Sequence, residues 1–370
     1  MTIALSRAAA TLLLLSGFTL SHAQTGSRES DRMEARTVRL ASATMHYRLF
    51  KPANYSSSKK YPIVVALHGI GEVGTDNRGQ VDREDLAHPW IEDSVQAKYP
   101  HFVMIPQCPS SSLGWGAPRG QAVTQLSEAA QGIVNALDSL RREFSIDTSR
   151  MVIAGLSLGG GGTYHLLQMK PGLFSAAVPC AAGGDSARAS IIMQTPIWHH
   201  HGANDGEGGR RMAKSFESRG LKVLRFVSET ALPAPGLNSY RDALARGRPV
   251  TDLVAKNSNI PYDSLKRAVA AGADYIYSEL TGGDHRSGWM IAWHHPLIAD
   301  WAFSKVKPSP THILSPRTAK RDPGRARIFF GDAAYLPEAG ERLFTPDGRR
   351  TPVAGLAAAS GRLLVIRPAE

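Results

Sequence analysis

The sequence predicts an α/β fold, with a mostly parallel sheet covered by helices on both faces. Continuous apolar runs such as Tyr61 to Leu67 and Phe102 to Ile105 are typical of strands that are buried on both sides. Between Val123 and Phe144, apolar residues recur at helical spacing, which predicts an amphipathic helix. Strand-like and helical segments then alternate, and this alternation indicates a parallel sheet whose ligands bind beyond the carboxyl ends of its strands.

The individual strands can be placed along the chain in order. Apolar and polar residues alternate in two short segments, Thr37 to Leu40 and Met45 to Phe50. This pattern predicts an antiparallel hairpin that leads into the sheet. After the long helix, three further short apolar runs predict buried strands. They are Met151 to Ala154, Ala176 to Val178 and Pro196 to Trp198.

Two segments compete to supply the last helix and strand of this sheet. They are Glu207 to Arg219 followed by Leu221 to Val227, and Pro261 to Ala271 followed by Tyr275 to Leu280. The stretch between them, Ser228 to Ile260, is longer than connections in compact domains usually are. We interpret the region from about 206 to 260 as containing an insertion, which is either a lid over the site or a surface elaboration.

The first 23 residues have the pattern of an export signal peptide. Arg7 supplies positive charge, an apolar stretch runs from Ala8 to Leu20, and small residues around Ala23 offer a cleavage point. The apolar stretch is short for a bilayer core of about 30 Å, so a retained membrane anchor is the lesser alternative. We therefore expect a periplasmic or secreted protein without stable membrane insertion.

The remaining chain divides into a large domain and a small appendix. Residues 24–304 are enough for one α/β domain with its own core. The Pro-rich, basic stretch 305–326 is typical of a linker, and residues 327–370 contain apolar runs and a turn motif that predict a small β-rich segment. The sequence does not indicate an oligomeric state.

Charge and cysteines exclude some function classes and leave one question open. The formal net charge of +11 could attract a polyanion, but much of the excess lies in the tail and no basic motif is interleaved with aromatics. We therefore expect no nucleic-acid partner. Cys108 and Cys180 have no metal-ligand spacing around them, and whether they form a disulfide stays open.

One motif carries the first chemical signal. G-L-S-L-G at positions 155–159 directly follows the strand at 151–154. Glycines on both sides of Ser157 allow a tight turn from strand to helix, which would expose the serine hydroxyl at the tip of the sheet. The alternative is a simple Gly-rich turn, but the surrounding strand and helix patterns favour a nucleophile.

A nucleophilic serine needs a base, and His285 is the best candidate. It lies in a G-G-D-H loop directly after the final strand candidate, where an imidazole can reach the carboxyl edge of the sheet. The other histidines are less suitable because they fall within a strand or beside the closing helix. They are His199, His200, His201, His294 and His295.

A carboxylate must then orient the base, and Asp205 is the best candidate. It follows the strand at 196–198 in a loop, between the serine and the histidine in chain order, as this kind of site requires. Asp185 follows an earlier strand, and Asp284 adjoins the histidine too closely to reach its far nitrogen easily. The alternative for Asp205 is a role as a turn former.

Acyl transfer also needs donors for the oxyanion. The amide of Leu158, directly after the serine, is one candidate. The second should come from the loop after the Tyr61 strand, which reads His68, Gly69, Ile70, Gly71 and Glu72. We assign the Ile70 amide first and the Gly69 amide next.

These motifs together resemble the α/β-hydrolase superfamily, specifically its dienelactone-hydrolase-like and poly(3-hydroxybutyrate)-depolymerase-like esterases, a group often labelled predicted peptidases. The matching motifs are H-G-I-G-E-V-G-T-D-N at 68–77, P-Q-C-P at 106–109, G-L-S-L-G-G-G-G-T at 155–163, H-G-A-N-D at 201–205 and G-G-D-H-R-S-G-W at 282–289. The resemblance spans about 45–303 and implies that Ser157, Asp205 and His285 act as nucleophile, acid and base. Gly206 to Gly209 depart from the family pattern after the acid, which supports the insertion.

The leading functional hypothesis is an exported serine esterase that needs neither a metal nor an organic cofactor. Its substrate would be an acyl group on a polysaccharide, a short polyester or a small ester. Trp115 and Trp289 are candidates for stacking on the substrate, with simple packing as the alternative, and Glu72 is a further candidate contact. A prolyl-oligopeptidase-like peptidase, a non-catalytic carbohydrate-binding protein and an acyltransferase remain alternatives.

Overall fold

A nine-stranded mixed sheet organises the larger part of the chain. The structure is a computed structural model that describes residues 28–116, 125–229, 242–248, 251 and 254–307, together with the backbone of short strands beyond residue 329. The chain divides into two units, Met1–Pro308 and Ser309–Glu370, and the large sheet belongs to the first. The predicted signal peptide and most of the predicted linker lie outside the described residues.

The sheet has a parallel body with an antiparallel hairpin at one edge. Its strands are β1 (Glu34–Arg39), β2 (Thr44–Phe50), β3 (Tyr61–Leu67), β4 (Phe102–Gln107), β5 (Ile146–Leu156), β6 (Ala176–Cys180), β7 (Ile197–Gly202), β8 (Leu224–Ser228) and β9 (Tyr275–Leu280). They lie in the order β1-β2-β4-β3-β5-β6-β7-β9-β8. β1 pairs antiparallel with β2, as does β2 with β4, and all later pairs are parallel. The predicted hairpin and mostly parallel sheet are confirmed.

Helices cover both faces of the sheet. They are α1 (Gly79–Asp82), α2 (His88–Ile91), α3 (Asp93–Lys98), α4 (Glu128–Glu143), α5 (Leu158–Met169), α6 (Gly208–Glu217), α7 (Tyr262–Ala270), α8 (Ser287–Trp293) and α9 (Ile298–Ser304). Alternate residues of the central strands enter two separate apolar clusters. Val64 and Ala66 join the cluster under α8 and α9, whereas Ile63 and Val65 join the one under α4 and α5.

The long amphipathic helix begins later than its apolar spacing predicted. α4 starts at Glu128, and Ser127 caps it by accepting a hydrogen bond at Oγ from the Ala130 amide at 3.1 Å. Serine at this position satisfies one of the amides that the first turn leaves unpaired. The capping serine, rather than the preceding apolar residues, therefore sets the start of α4.

Both segments that competed for the last strand belong to the sheet. β9 pairs with β7, while β8 pairs only with β9 and forms the edge. β9 is almost fully buried, whereas β8 is only partly covered, as expected for an inner strand beside an edge strand. Within the predicted insertion at 206–260, α6 and β8 are thus part of the α/β body. Residues 230–241 of this region lie outside the described residues.

The second unit contains a small sheet of its own. Its strands are β10 (Phe330–Gly331), β11 (Arg342–Phe344), β12 (Arg350–Thr351) and β13 (Leu363–Ile366), in the order β10-β13-β11-β12. All three pairings are antiparallel. This agrees with the β-rich C-terminal segment that the sequence predicted, while the exact domain boundaries stay a prediction.

Two further sequence questions concern the cysteines and the membrane. Cys108 and Cys180 are both buried free thiols, so the structure contains no disulfide between them. Among the described residues, none of the helices combines the length and the apolar character needed to cross a bilayer.

Candidate active site

The turn between β5 and α5 holds Ser157 in a strained backbone conformation. β5 ends at Leu156 and α5 begins at Leu158, so this one residue makes the turn. Its φ of +51° and ψ of −115° lie in a region that L-residues rarely adopt. A Cβ on Gly159 would lie 2.0 Å from the carbonyl oxygen of Leu67, so glycine is required for α5 to approach β3. This geometry presents the serine hydroxyl at the tip of the sheet.

Three side chains from distant parts of the chain meet at this tip. The Oγ atom of Ser157 lies 2.8 Å from Nε2 of His285, and Nδ1 of His285 lies 2.9 Å from Oδ2 of Asp205. A carboxylate only accepts, so Nδ1 carries the proton and donates to it. In the neutral ring, Nε2 is then free to accept the serine proton. The structure therefore brings together the three residues that the sequence singled out.

Hydrogen bonds between two loops fix the aspartate relative to the histidine. The Ala203 amide donates to the carbonyl oxygen of Leu280 at 2.9 Å, and the Asn204 amide donates to that of Gly283 at 2.8 Å. These bonds join the loop after β7 to the loop after β9. Because these two bonds join the loops, the separation of Asp205 and His285 is set by backbone contacts as well as by their own hydrogen bond.

The rival aspartates have structural partners. Oδ1 of Asp284 accepts from both the amide and the hydroxyl of Ser287, so this carboxylate starts α8. Asp185 caps the 3₁₀ helix Ser186–Ile192 by accepting from the Ala187 amide. Both carboxylates satisfy amides at the beginning of a helix, as acidic residues commonly do.

The loop after β3 passes beside the serine. A Cβ on Gly69 would lie 3.5 Å from Cβ of Ser157, so the two residues are neighbours. The Gly69 amide already donates to Oε2 of Glu72 at 3.0 Å. Ile70 begins the 3₁₀ helix Ile70–Glu72, and Leu158 begins α5, so neither amide has an acceptor within its own helix. Of the predicted oxyanion donors, Gly69 is paired, whereas Ile70 and Leu158 are the ones available.

His68 supports this loop from inside the protein. Its Nε2 accepts from the Cys108 amide at 2.9 Å, so Nδ1 carries the proton and donates to the Gly69 carbonyl at 2.6 Å. Burial lowers the pKa of His68 to about 4, so the ring is neutral. The sequence motif that contains His68 does not by itself indicate this role in holding the loop.

The structure contradicts the predicted stacking role of Trp115. The side chain is fully buried, and its Nε1 donates to the carbonyl oxygen of His68 at 3.0 Å. Its ring contacts the His68 ring edge-on at a centroid separation of 5.0 Å. Trp115 therefore packs beneath the loop, because a ring without exposed surface has no face to offer to a substrate.

The other two predicted substrate contacts are also mostly covered. Glu72 is 5% exposed, and burial together with the charge of Glu84 raises its pKa. By accepting a hydrogen bond from the Gly69 amide, Glu72 helps to hold the loop after β3. Trp289 is also 5% exposed, and its ring meets the His285 ring edge-on at 5.1 Å. Its Nε1 donates to Glu84 at 3.1 Å, a contact that sequence reasoning missed.

The remaining candidate histidines lie in the interior. Burial lowers the pKa of His199 and His200 in β7 far below the usual value and brings that of His295 to about 3. His201 and His294 are buried as well. Among the histidines that were weighed as the base, His285 is the one within hydrogen-bond distance of Ser157.

The three side chains at the sheet tip have the composition of a proton-transfer site. A hydroxyl bonded to an imidazole, which is bonded to a carboxylate, can be activated by transfer of its proton to the ring. In the parts of the chain that the structure describes, no group of three or more His, Cys, Asp or Glu side chains is arranged to hold a metal ion.

Sequence comparisons agree with this geometry. Residues 127–219 match the family model described as the prolyl oligopeptidase family. The chain is 25% identical over 157 residues to a bifunctional acetylxylan esterase/xylanase of Neocallimastix patriciarum, covering 42% of this chain and 21% of the relative. It is 28% identical over 174 residues to a probable feruloyl esterase C of Aspergillus terreus, covering 46% of this chain and 60% of the relative.

A solved structure shares the fold. The crystal structure of a thermostable esterase matches with a TM-score of 0.57 and 26% identity, over 75% of this chain and 64% of that one. The chain thus spans less than two thirds of the length of each of these three proteins. Its parallel sheet, its strained serine turn and the similarity to this esterase structure together show that the chain has an α/β-hydrolase fold.

Proposed function

We propose that the chain is a serine hydrolase that cleaves carboxylic esters through an acyl-enzyme intermediate. The two consecutive hydrogen bonds from Ser157 through His285 to Asp205 are the observation that supports this proposal most strongly. In it, Ser157 is the nucleophile, His285 is the general base and Asp205 orients the base. The esterase relatives support an ester as the bond that is cleaved.

Acylation begins when Oγ of Ser157 attacks the ester carbonyl carbon and its proton passes to Nε2 of His285. The carbonyl oxygen becomes an oxyanion, which the amides of Leu158 and Ile70 stabilise by donating to it. The bond to the leaving alcohol oxygen then breaks, and that oxygen takes the proton from Nε2. Asp205 stabilises the imidazolium throughout and stays ionised.

Deacylation repeats these steps with water as the nucleophile. Nε2 of His285 accepts a proton from water while the water oxygen attacks the acyl carbon. The same two amides stabilise the second oxyanion. Its collapse releases the carboxylic acid and returns the proton from Nε2 to Oγ of Ser157, which restores the starting state.

Hydrolysis of short-chain p-nitrophenyl esters tests the proposal. The purified wild-type protein should release p-nitrophenol catalytically, and Ser157→Ala should reduce kcat by at least about 10³-fold because the nucleophile is removed. Ser139→Ala, which lies on the exposed side of α4, is the matched control and should keep wild-type activity. Equal ester turnover by wild type and Ser157→Ala would contradict the proposal.

For the substrate, we propose an acyl group linked to a polysaccharide, a short polyester or a small carboxyl ester. The names of the acetylxylan and feruloyl esterase relatives support the first of these. Acetylated xylan, a feruloylated oligosaccharide and hydroxybutyrate oligomers, each compared by kcat/KM, would rank the three classes. A preference for small soluble esters over all polymer-linked ones would argue against the first two.

Peptide hydrolysis is the second candidate function. The match of residues 127–219 to the prolyl oligopeptidase family favours it, since that region contains Ser157 and Asp205. An amide has a poorer leaving group than an ester, so a peptidase needs stronger protonation of the leaving nitrogen. Aminoacyl p-nitroanilides separate the two functions, because anilide turnover without ester turnover would favour the peptidase.

Two further alternatives have distinct tests. A carbohydrate-binding protein without catalysis would bind oligosaccharide but would leave esters intact. An acyltransferase would give a new ester when an alcohol acceptor is supplied, in place of free acid. Product analysis by mass spectrometry, with and without a sugar acceptor, distinguishes both from a hydrolase.

We further propose that the protein is exported and that residues 327–370 are not needed for the chemistry. N-terminal sequencing of the protein from a periplasmic fraction should begin near Gln24, whereas an uncleaved Met1 would contradict the proposed signal peptide. A chain ending at Lys305 should keep ester turnover and thermal stability. A large loss of either would show that the C-terminal segment contributes.

A further inference from the structure

Two consecutive carboxylates outside the three-residue site reach α8, the helix that follows His285. Glu84 comes shortly after α1, and its carboxylate accepts from Nε of Arg286 at 3.0 Å and from Nη2 at 2.9 Å. It also accepts from Nε1 of Trp289 at 3.1 Å. Its side chain is only 17% exposed. Glu84 therefore binds the residue directly after His285 and a residue one turn further along.

Asp85 holds the other end of the same helix. Its Oδ2 lies 3.2 Å from Nε2 of His294, the residue directly after α8, and both side chains are almost fully buried. The backbone of Asp85 has a φ of +52°, a conformation that costs a non-glycine residue about 1 kcal/mol or more. Such a conformation persists where its surroundings hold it, and here the two carboxylates face the two ends of α8.

Before the histidine, the loop is held by hydrogen bonds to its backbone carbonyls. Gly282 has a φ of +72°, and its carbonyl accepts from Nδ2 of Asn204 at 3.3 Å, while the Gly283 carbonyl accepts from the Asn204 amide at 2.8 Å. On the following side, the Trp289 ring packs against the imidazole, with the two ring centroids 5.1 Å apart and the ring planes at 87°. Since Nε1 of Trp289 is bonded to Glu84, this contact has a fixed orientation.

We propose that Glu84 is a positioning residue for the His285 imidazole. Through Arg286 and Trp289 it keeps the ring where Nε2 can reach Ser157. The inference rests on the proposed function, because it assigns Glu84 a role in the turnover that His285 performs. A displacement of about 1 Å in a reacting group can reduce turnover by about 100-fold, so a support of this kind affects kcat more than KM.

The ordinary alternative is that Glu84 and Arg286 form a surface ion pair with no role in turnover. The chain contains a matched pair for comparison. Glu217 at the end of α6 accepts from Nε of Arg225 at 2.8 Å and from Nη2 at 2.9 Å, the same two-bond geometry. α6 starts close to Asp205 but rises about 1.5 Å per residue, which places its last residue about 13 Å further along its axis.

Steady-state kinetics of Glu84→Gln and Glu217→Gln on a p-nitrophenyl ester tests the proposal. Both changes remove one charge and one bidentate pair. Glu84→Gln should lower kcat about 10-fold with KM changed by less than twofold, while Glu217→Gln should leave both within twofold of wild type. Equal kcat in wild type and Glu84→Gln would overturn the proposal, as would equal losses in the two variants.

A second variant decides the question if Glu84→Gln does not fold. Trp289→Phe keeps an aromatic ring but removes the N–H that Glu84 accepts, and it should lower kcat about threefold or more. Where both variants fold, the double variant should lose less than the product of the two single losses, since both changes break the same link. An unchanged kcat for Trp289→Phe, or multiplied losses, would overturn the proposal.

Comparing ester turnover by the wild type, Ser157→Ala and Glu84→Gln distinguishes a failure of this inference from a failure of the proposed function. Ester turnover that disappears in Ser157→Ala, together with an unaffected Glu84→Gln, would refute the positioning role alone. If wild type and Ser157→Ala show the same turnover, the proposed function itself fails, and the role of Glu84 fails with it.

Discussion

Strand β7 and the loop after β9 place the same kind of side chain in opposite environments. His199, His200 and His201 in β7 are each at most 3% exposed, whereas the His285 side chain is 50% exposed. In β7, the loss of hydration disfavours the charged ring, so these histidines are neutral. His285 keeps contact with solvent and has a carboxylate on one nitrogen and a hydroxyl on the other.

This difference shows what distinguishes a candidate base from a core histidine. Three histidines in a row near the edge of a sheet look like a functional cluster, yet none of their nitrogens bonds to Ser157. A base must change its protonation during each turnover, which a ring held neutral by burial does poorly. Partner geometry and hydration, rather than the number of histidines, therefore identify the position that fits a base.

Changing Asp205 to Asn should give the largest effect, because it removes the carboxylate that accepts from Nδ1 of His285. The amide can donate its NH2 to Nδ1 and so favour the wrong tautomer of His285, and it has no negative charge to stabilise the imidazolium, so kcat should fall by roughly 10³ to 10⁴. Asp138→Asn on α4, which loses only a surface pair with Arg141, is the control. Both variants should unfold within about 1 kcal/mol of wild type in urea. If kcat of Asp205→Asn stays within tenfold of wild type, the proposed role of this carboxylate in orienting His285 is wrong.

Gly69→Ala should give the next largest effect, because it displaces the loop after β3 that lies beside Ser157. The added Cβ would lie 2.7 Å from Cδ1 of Leu156 and 3.2 Å from Oε2 of Glu72, so the loop must shift. We expect kcat to fall about 100-fold as the Ile70 amide leaves its place. Gly71→Ala is the matched control, because a Cβ there meets nothing within 4 Å. Equal kcat and KM for the two variants would show that the position of this loop does not affect catalysis.

The buried histidines should show their effect in stability instead of turnover. Burial lowers the pKa of His68 and His101 to about 4 and that of His295 to about 3, below the value of 6.5 for an unfolded chain. The unfolded chain therefore binds more protons below pH 6.5, and stability present above that pH is lost as the pH falls toward 4. Each of these histidines should contribute about 2 kcal/mol to the loss between pH 7 and pH 5.

Urea unfolding at several pH values measures this loss. The free energy of unfolding should decrease steadily from pH 7 to pH 5, and His200→Phe should make that decrease shallower by removing one group that binds a proton only when the chain unfolds. A free energy that is constant or rises on acidification would contradict the assignment of neutral, buried rings.

Trp115→Phe should give the smallest effect on turnover. It tests whether a buried side chain beneath the site affects stability but not substrate binding. The change removes the hydrogen bond to the His68 carbonyl, so the free energy of unfolding should fall by about 1 to 2 kcal/mol. If Trp115 only packs beneath the loop, KM should stay within twofold of wild type for aromatic and aliphatic esters alike. A KM that rises selectively for aromatic acyl groups would restore the stacking role.

The sequence predicted most of the α/β body and the three residues that meet at its edge. The reason is local: the Ser157 turn, the Asp205 loop and the His285 loop each carry glycines and polar residues directly after an apolar run. Their catalytic roles stay predictions. The convergence of three loops is a property of a parallel sheet, whose strands all end at the same edge.

The missed features depend on contacts that leave no local pattern. Glu84 and Arg286 are 202 positions apart, and nothing near either residue predicts their pairing. The burial of Trp115 likewise depends on the loop that folds over it. The order of β8 and β9 could not be predicted because both runs are apolar, and only packing against β7 decides which lies inside.

The central claim is that the Ser157 hydroxyl is activated by His285, and a fluorophosphonate probe tests it most directly. We predict that the folded wild-type protein takes up one phosphonyl group per chain and that peptide mapping by mass spectrometry finds it on Ser157. His285→Ala should slow this labelling by several orders of magnitude, because the proton on Oγ then has no acceptor. Failure of the folded protein to react, or a phosphonyl group on a different serine, would contradict the claim.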